Sequence, residues 1–237
     1  MRQTNRQSFL ESISIRLQAL FAALVLFVCV PFIVPERYHG LAFPAIFTIV
    51  TLAALASTGQ RRRTLIIGFV LAIPAVIAGW LEPTDPTLAV VGGVFQVLFM
   101  LWVASSLLHH VLGAKRVTAD ALFGVACVYI LLAAIWAVGY GIADTLEPGA
   151  IMLPAEDAGV RTDLHSVDGE KIRSYFSFVT LTTLGYGDVR PVSDMARILA
   201  MLEATLGQLF LVIVVARLVG IHTVQAMRRG DTADDAI

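Results

Sequence analysis

The chain has 237 residues, 57% of them hydrophobic and 15% charged, with a formal net charge of −1 and a mean hydropathy of +0.80. Soluble domains carry about 25% charged residues, so this chain lacks the polar surface to cover itself in water, and most of it is solvated by lipid. A net charge near zero gives no general attraction for nucleic acid, and no such partner is expected.

Crossing about 30 Å of hydrocarbon takes about 20 apolar residues in a helix. Six segments meet or approach that length: Leu17–Val34, Leu41–Ser57, Thr64–Leu81, Leu88–Leu112, Ala119–Ala143 and Asp194–Ile221. Residues 1–16 read as a cytoplasmic segment. The first span has no small-residue cleavage site and leads into Pro35-Glu36-Arg37, so it reads as an uncleaved signal anchor. The second and third spans are short, which predicts tilt or interfacial contact. Pro74 is expected to kink the third, and Trp80 to sit at its interfacial end. Cys29 and Cys127 lie in apolar runs without metal-ligand spacing and read as buried thiols.

A voltage sensor moves several arginines through the field, each worth about 2.3 kcal/mol per 100 mV. The fourth span has none. Its polar residues are Gln96, Ser105, Ser106, His109 and His110, and spans two and three lack the acids that would pair with moving arginines. Residues 17–112 therefore read as a four-helix domain without gating charges, and steep voltage gating is not expected. His109 and His110, at the inner end of span four, read as interfacial caps in preference to a pH switch.

The basic residues orient the chain. Arg2, Arg6 and Arg16 precede span one, Arg61-Arg62-Arg63 follow span two, Lys115 and Arg116 lie in the linker 113–118, and Arg228 and Arg229 follow span six. These are alternate connections. The positive-inside rule puts them, and both termini, in the cytoplasm. Topology alone accounts for the Arg61-Arg62-Arg63 turn, which can also meet anionic lipid. The opposite side carries Glu36 and Arg37, the acidic turn Glu82-Pro83-Thr84-Asp85-Pro86, and the polar stretch 144–171.

That stretch is broken by Pro148, Gly149, Pro154, Gly159 and Gly169, and it holds Glu147, Glu156, Asp157, Asp163, Asp168 and Glu170 beside Arg161, Lys171 and Arg173. It reads as an outer turret. An acidic mouth would concentrate cations, but an ordinary solvated loop is favoured because the basic residues offset part of the charge. Residues 222–237 read as a short polar tail, expected to be disordered after Met227.

Between spans five and six lies Thr180-Leu181-Thr182-Thr183-Leu184-Gly185-Tyr186-Gly187-Asp188. A strand of L-residues alternates its carbonyls left and right. Glycine at every second position, Gly185 and Gly187, permits alternating dihedral signs without a Cβ clash. Successive carbonyls can then face one axis, and four copies would stack rings of oxygens that replace a cation's water shell. The Thr183 hydroxyl adds to the inner end, while Leu184 and Tyr186 can anchor the strand from outside. Ser174–Thr182 reads as a short helix leading into it, with its negative dipole end towards the axis.

This stretch resembles the selectivity filter of potassium channels. The order of span, outer loop, short helix, filter and span over residues 119–221 is similar to their pore domain, and the whole resembles a six-span member of the voltage-gated-like superfamily lacking sensor arginines. Compact loops suggest a prokaryotic source. The resemblance implies an all-α transmembrane fold with a re-entrant pore helix and filter (172–188) between helices five and six. It further implies an inner helix at 194–221 and a homotetramer in the plasma membrane.

Potassium would be coordinated by the carbonyls of Thr183, Leu184, Gly185 and Tyr186 and the Thr183 hydroxyl, with Gly187 completing the filter. Thr180, Thr182 and Asp188 would support it. Family members often place two tryptophans behind the filter. Tyr175 and Phe176 stand there instead, so both indole donors are gone, and the Tyr175 hydroxyl is free to meet Tyr186 or Asp188. Val179 stands where some members carry an acid, so no carboxyl pair with Asp188 is available. Leu184 replaces the commoner valine.

In the sixth span, Gly207 is at the level of a gating hinge, with close packing an equal alternative. Glu203 is an acid at membrane depth. It faces either the back of the short helix, with Thr180 or Tyr175 as partner, or the central cavity as a cation attractor; a protonated or hydrogen-bonded structural glutamate is slightly favoured. Arg217 is expected to snorkel or pair between subunits, and Arg197 to anchor the outer end.

The expected function is passive, potassium-selective conduction, with K⁺ as permeant species, lipid and identical subunits as partners, and neither cofactor nor small-molecule substrate. A weakly selective cation channel, or a silent subunit needing a partner, is the alternative. An intramembrane enzyme is remote: there is no Gly-x-Ser-x-Gly elbow, no His-Glu-x-x-His, and no Gly-Asp aspartyl pair across two spans beyond Asp188 itself.

Overall fold

A computed structural model describes residues 2–57, 62–81, 85–113, 118–152 and 167–234. Arg61, Glu82-Pro83-Thr84, Lys115, Arg116, Pro154, Glu156, Asp157, Gly159, Arg161, Asp163 and Asp235 lie outside the described residues. The chain forms α1 (Arg2–Ile33), a 3₁₀ turn (Glu36–Tyr38), α2 (His39–Ser57), α3 (Arg62–Leu81), α4 (Pro86–Gly113) and α5 (Ala119–Leu146). There follow β1 (Ile151–Met152), α6 (Val167–Leu181), β2 (Arg190–Pro191) and α7 (Asp194–Asp234).

Six of the helices, all but α6, are long and apolar enough to cross a membrane, over Ile15–Ile33, Gly40–Ser57, Arg62–Leu81, Pro86–Gly113, Ala119–Leu146 and Asp194–Ile221. The chain is a multi-pass membrane protein. Helices suit this solvent because each satisfies its own backbone groups where no water can.

Polar residues at the edges of the apolar runs set where helices begin. Asp85 Oδ1 accepts the backbone N–H of Thr87 at 2.7 Å, capping α4, whose first residue is the proline that fits this position. Thr118 Oγ1 accepts from Ala121 at 3.3 Å to cap α5, and Ser193 Oγ accepts from Ala196 at 3.1 Å to cap α7. At the other end of the membrane-spanning pair α1 and α2, Arg16 Nη1 donates to the Ala56 carbonyl at 3.2 Å, and Ser57 Oγ to the Arg16 carbonyl at 3.3 Å. Trp80, at the end of α3, donates to Thr48 Oγ1 of α2 at 3.2 Å.

The helices at both ends run beyond their apolar spans, and the C-terminal one differs from expectation. α1 is helical from Arg2, ahead of its apolar span, and α7 continues to Asp234, through residues expected to be disordered after Met227. Continuing an established helix adds one hydrogen bond per residue without a new nucleation cost.

The main apolar core joins α1 to α5: Leu20 and Leu24 of α1, Phe47 and Ala54 of α2, Ala72 and Ala75 of α3, Phe99 and Val103 of α4, and Cys127, Val128 and Leu131 of α5. This core crosses the connection at 113–118. A second cluster sits towards the other end of α5, where Tyr140, Ile151, Phe176 and Val189 bring α5, β1, α6 and the segment before β2 together.

The polar stretch expected at 144–171 is shorter than that. α5 runs on to Leu146 and α6 begins at Val167. Asp144 Oδ1 closes the turn by accepting from Gly149 N at 2.9 Å and Ala150 N at 3.1 Å. β1 then pairs antiparallel with β2, Ile151 opposite Pro191 and Met152 opposite Arg190. Ile151 and Met152 are thereby pinned to the chain that follows Asp188.

Candidate functional site

α6 was expected over Ser174–Thr182 and extends from Val167 to Leu181. Its end is a compact hydrogen-bonded knot. Thr182 N–H donates to the Phe178 carbonyl at 3.0 Å and Thr183 N–H to that of Thr180 at 3.0 Å. The Val179 carbonyl receives both Leu184 N–H (2.9 Å) and Gly185 N–H (3.3 Å), and the Thr182 hydroxyl returns to the Phe178 carbonyl at 2.7 Å.

Beyond the knot, positive φ recurs at every second residue: Thr183 at 58°, Gly185 at 57° and Gly187 at 77°. Glycine was expected to permit this at 185 and 187. At Thr183 it was not foreseen, since a β-branched residue there is a genuine outlier with a cost of about 1–3 kcal/mol. Among the described residues no hydrogen bond is donated to the carbonyls of Thr183 to Gly187. Residues 182–188 are all exposed, Tyr186 at 68% and Leu184 at 55%. The strand thus combines unengaged carbonyls with uncovered apolar side chains. Such carbonyls can take the place of water around a cation.

Tyr175 reaches forward from α6 to tie the strand's end. Its hydroxyl donates to Asp188 Oδ2 at 2.6 Å, and Asp188 Oδ1 accepts the Val189 N–H at 2.9 Å. Of its two expected partners, Tyr175 takes Asp188. The Tyr175 hydrogen bond holds the Asp188 carboxyl below its ordinary range, and the same bond pushes the Tyr175 phenol up to about 12. Phe176, expected beside Tyr175 behind the filter, is buried edge-on against Tyr140 of α5, ring centroids 4.8 Å apart, in the cluster that holds Val189 and against which Tyr175 packs.

Glu203 of α7 is fully buried, at 0% exposure. Its expected partners Thr180 and Tyr175 are not the ones it finds, and it does not open to a cavity. Tyr140 Oη donates to Oε2 at 2.5 Å, and Ser177 Oγ lies 2.5 Å from Oε1 and 2.7 Å from the Ala133 carbonyl. The carboxyl therefore joins α5, α6 and α7. Neither Ser177 nor Tyr140 was singled out from sequence, although each is a hydroxyl set in an apolar helical run.

The end of α6 is gripped as well. A Cβ on Gly207 would fall 2.7 Å from Leu181 Cδ1 and 2.8 Å from the Leu181 carbonyl oxygen, so glycine here allows close packing. Tyr129 of α5 donates to that carbonyl at 3.3 Å and stacks on Phe210 of α7 at 5.9 Å. Thr180 contributes its backbone carbonyl. Arg217, His109 and His110 are exposed, and Arg197 pairs with Asp194 at 3.5 Å.

Residues 173–223 match the family model described as "Ion channel". The match begins in α6, includes the strand at 182–188 and ends in α7, the segment whose geometry is set out above, and it supports an ion channel. No curated protein and no solved structure matches the chain.

Proposed function

We propose that the protein is a potassium-selective channel that conducts passively across a cell membrane as a homotetramer. The observation that carries this reading is the alternation of positive φ at Thr183, Gly185 and Gly187 in a strand whose carbonyls have no donor among the described residues. Each chain supplies one such strand, so a closed ring of oxygens takes four chains about one axis. Leu184 and Tyr186, exposed in one chain, would be covered by its neighbours.

A K⁺ ion exchanges its water for the carbonyls of Thr183, Leu184, Gly185 and Tyr186, with the Thr183 hydroxyl at the inner end, and repulsion between successive ions drives them through. The C-terminal end of α6 points its partial negative charge at the entry. No chemical step is involved, and the permeant ion is the only ligand. Basic residues on alternate connections put both termini in the cytoplasm and Asp188 towards the outside. α4 carries no arginine or lysine, so opening is not steeply voltage-dependent.

A weakly selective cation channel is the second reading. The Tyr175–Asp188 bond is the side-chain hydrogen bond that ties the strand's end to α6 among the described residues, and Phe176 can donate none, which favours a less firmly held strand. Flux from liposomes decides between them. K⁺ flux well above Na⁺ flux, blocked by barium, is the expected result; equal fluxes favour the second reading. A confirmed monomer with no flux would sink the pore altogether.

A further inference from the structure

The hydrogen-bond arrangement around Glu203 can be counted proton by proton. Ser177 Oγ sits within bonding distance of two oxygens, Glu203 Oε1 at 2.5 Å and the Ala133 carbonyl at 2.7 Å. A serine hydroxyl has one hydrogen and a carbonyl has none. If Glu203 were a carboxylate, both neighbours of Ser177 would be pure acceptors competing for that one hydrogen. If Glu203 carries a proton on Oε1, every contact is satisfied in sequence. Tyr140 O–H donates to Oε2, Oε1–H donates to Ser177 Oγ, and Ser177 O–H donates to the Ala133 carbonyl.

The surroundings agree with the neutral form. Both side-chain partners are hydroxyls, not cations. From α5, Tyr140 faces the group directly, with Tyr129 farther along the same helix. α6 brings Ser177, while its Arg173 pairs with Glu170 at 3.8 Å. β2 brings Arg190, exposed and directed at Met152. On α7 itself Arg197 and Arg217 are both exposed and lie towards the outer and inner ends. A bare carboxylate in this fully buried position would lose hydration that no cation replaces.

We infer that Glu203 is a positioning residue that holds α6 against α5 and α7 through its own carboxyl proton, and that releasing this proton to water slackens α6 and lowers flux through the strand it carries. The proton is shared between elements of the pore itself: α6 ends in the knot at Val179 that sets the strand at 183–187. The flux half of this inference rests on the potassium-channel reading; the protonation half does not.

The test uses the full-length protein in liposomes, with infrared spectroscopy of the carboxyl carbonyl stretch and K⁺ flux across a pH series. Glu203→Gln is the central variant, because an amide presents an acceptor to Tyr140 and a donor to Ser177, the same pattern as the protonated acid. A protonated-carboxyl band is expected at neutral pH in the wild type and not in E203Q. Wild-type flux should fall as pH rises, by about tenfold per pH unit beyond the midpoint, while E203Q keeps the neutral wild-type level as pH rises above neutrality. Tyr140→Phe, which removes one donor, should move the band to higher frequency, and serves if E203Q does not assemble. No band in the wild type, a Y140F band at the wild-type frequency, or an E203Q flux profile that follows the wild type overturns the inference. A band behaving as described in a protein that passes no K⁺ keeps the protonation and sinks the channel reading instead.

Discussion

The α1–α4 bundle and the α5–α6–α7 assembly are built from equally apolar helices and held together differently. Among the described residues of the bundle, the one buried polar side chain is Thr51, whose hydroxyl has no partner. The second assembly buries Ser177 and Glu203 and links them to Tyr140 and the Ala133 carbonyl. In lipid, apolar contact alone gives little preference for one helix rotation over another, because tails are as apolar as leucine. Directional bonds between helices supply that preference. They are buried where the position of α6 fixes the strand behind it, whereas in the bundle the bonds between helices, Arg16 to Ala56, Ser57 to Arg16 and Trp80 to Thr48, lie in exposed or half-buried positions.

That contrast can be broken from the strand outward. Gly185→Ala forces a Cβ onto a residue at φ 57° in a strand already strained at Thr183. K⁺ flux should drop to background while the oligomer, read by crosslinking, persists; a conducting G185A would remove the strand from the ion path.

Glu203→Ala leaves the buried hydroxyls of Tyr140 and Ser177 with an unfilled space between them. A loss of about 2–4 kcal/mol in unfolding free energy is expected. Its counterpart in the bundle, Thr51→Val, removes a hydroxyl without a partner and should be neutral within about 0.5 kcal/mol, or slightly stabilising. Equal losses from both would erase the distinction between the two regions.

Gly207→Ala sharpens the packing role. Overpacking against Leu181 should cost about 1–3 kcal/mol. A hinge glycine without close neighbours would instead gain up to about 1 kcal/mol from better helix propensity, so the sign of the change in thermal stability separates the two.

The smallest effect concerns half-buried Tyr175 and exposed Asp188. The folded-state carboxyl is held below its ordinary range, so the tie is complete above the ordinary carboxylate pKa and is lost as pH falls through the lowered one. Tyr175→Phe removes the first cause of that lowering. The acid limb of the flux profile should then move to higher pH, and an unmoved limb would mean that the tie does not bear on conduction.

The six spans were legible because hydrophobic length is a one-dimensional property. Gly185 and Gly187 were legible for a similar reason: residue type limits backbone sign directly. Thr183 was not, because its positive φ runs against its type and is imposed by the knot that Val179 forms with Leu184 and Gly185. The β1–β2 pair escaped notice too, as two residues carry no periodicity. Glu203 stood out in the sequence as an acid at membrane depth, yet Tyr140 and Ser177, not Thr180 or Tyr175, are its partners, and the contact of Phe176 with Tyr140 was not foreseen. Sequence by itself determined which segments enter the lipid and where a backbone can reverse its handedness, since both follow from single residues and their near neighbours. Only the tertiary structure decided what Glu203, Tyr175 and Phe176 touch, because that depends on how α5, α6 and α7 are rotated about their own axes, and no local property of an apolar helix sets its rotation.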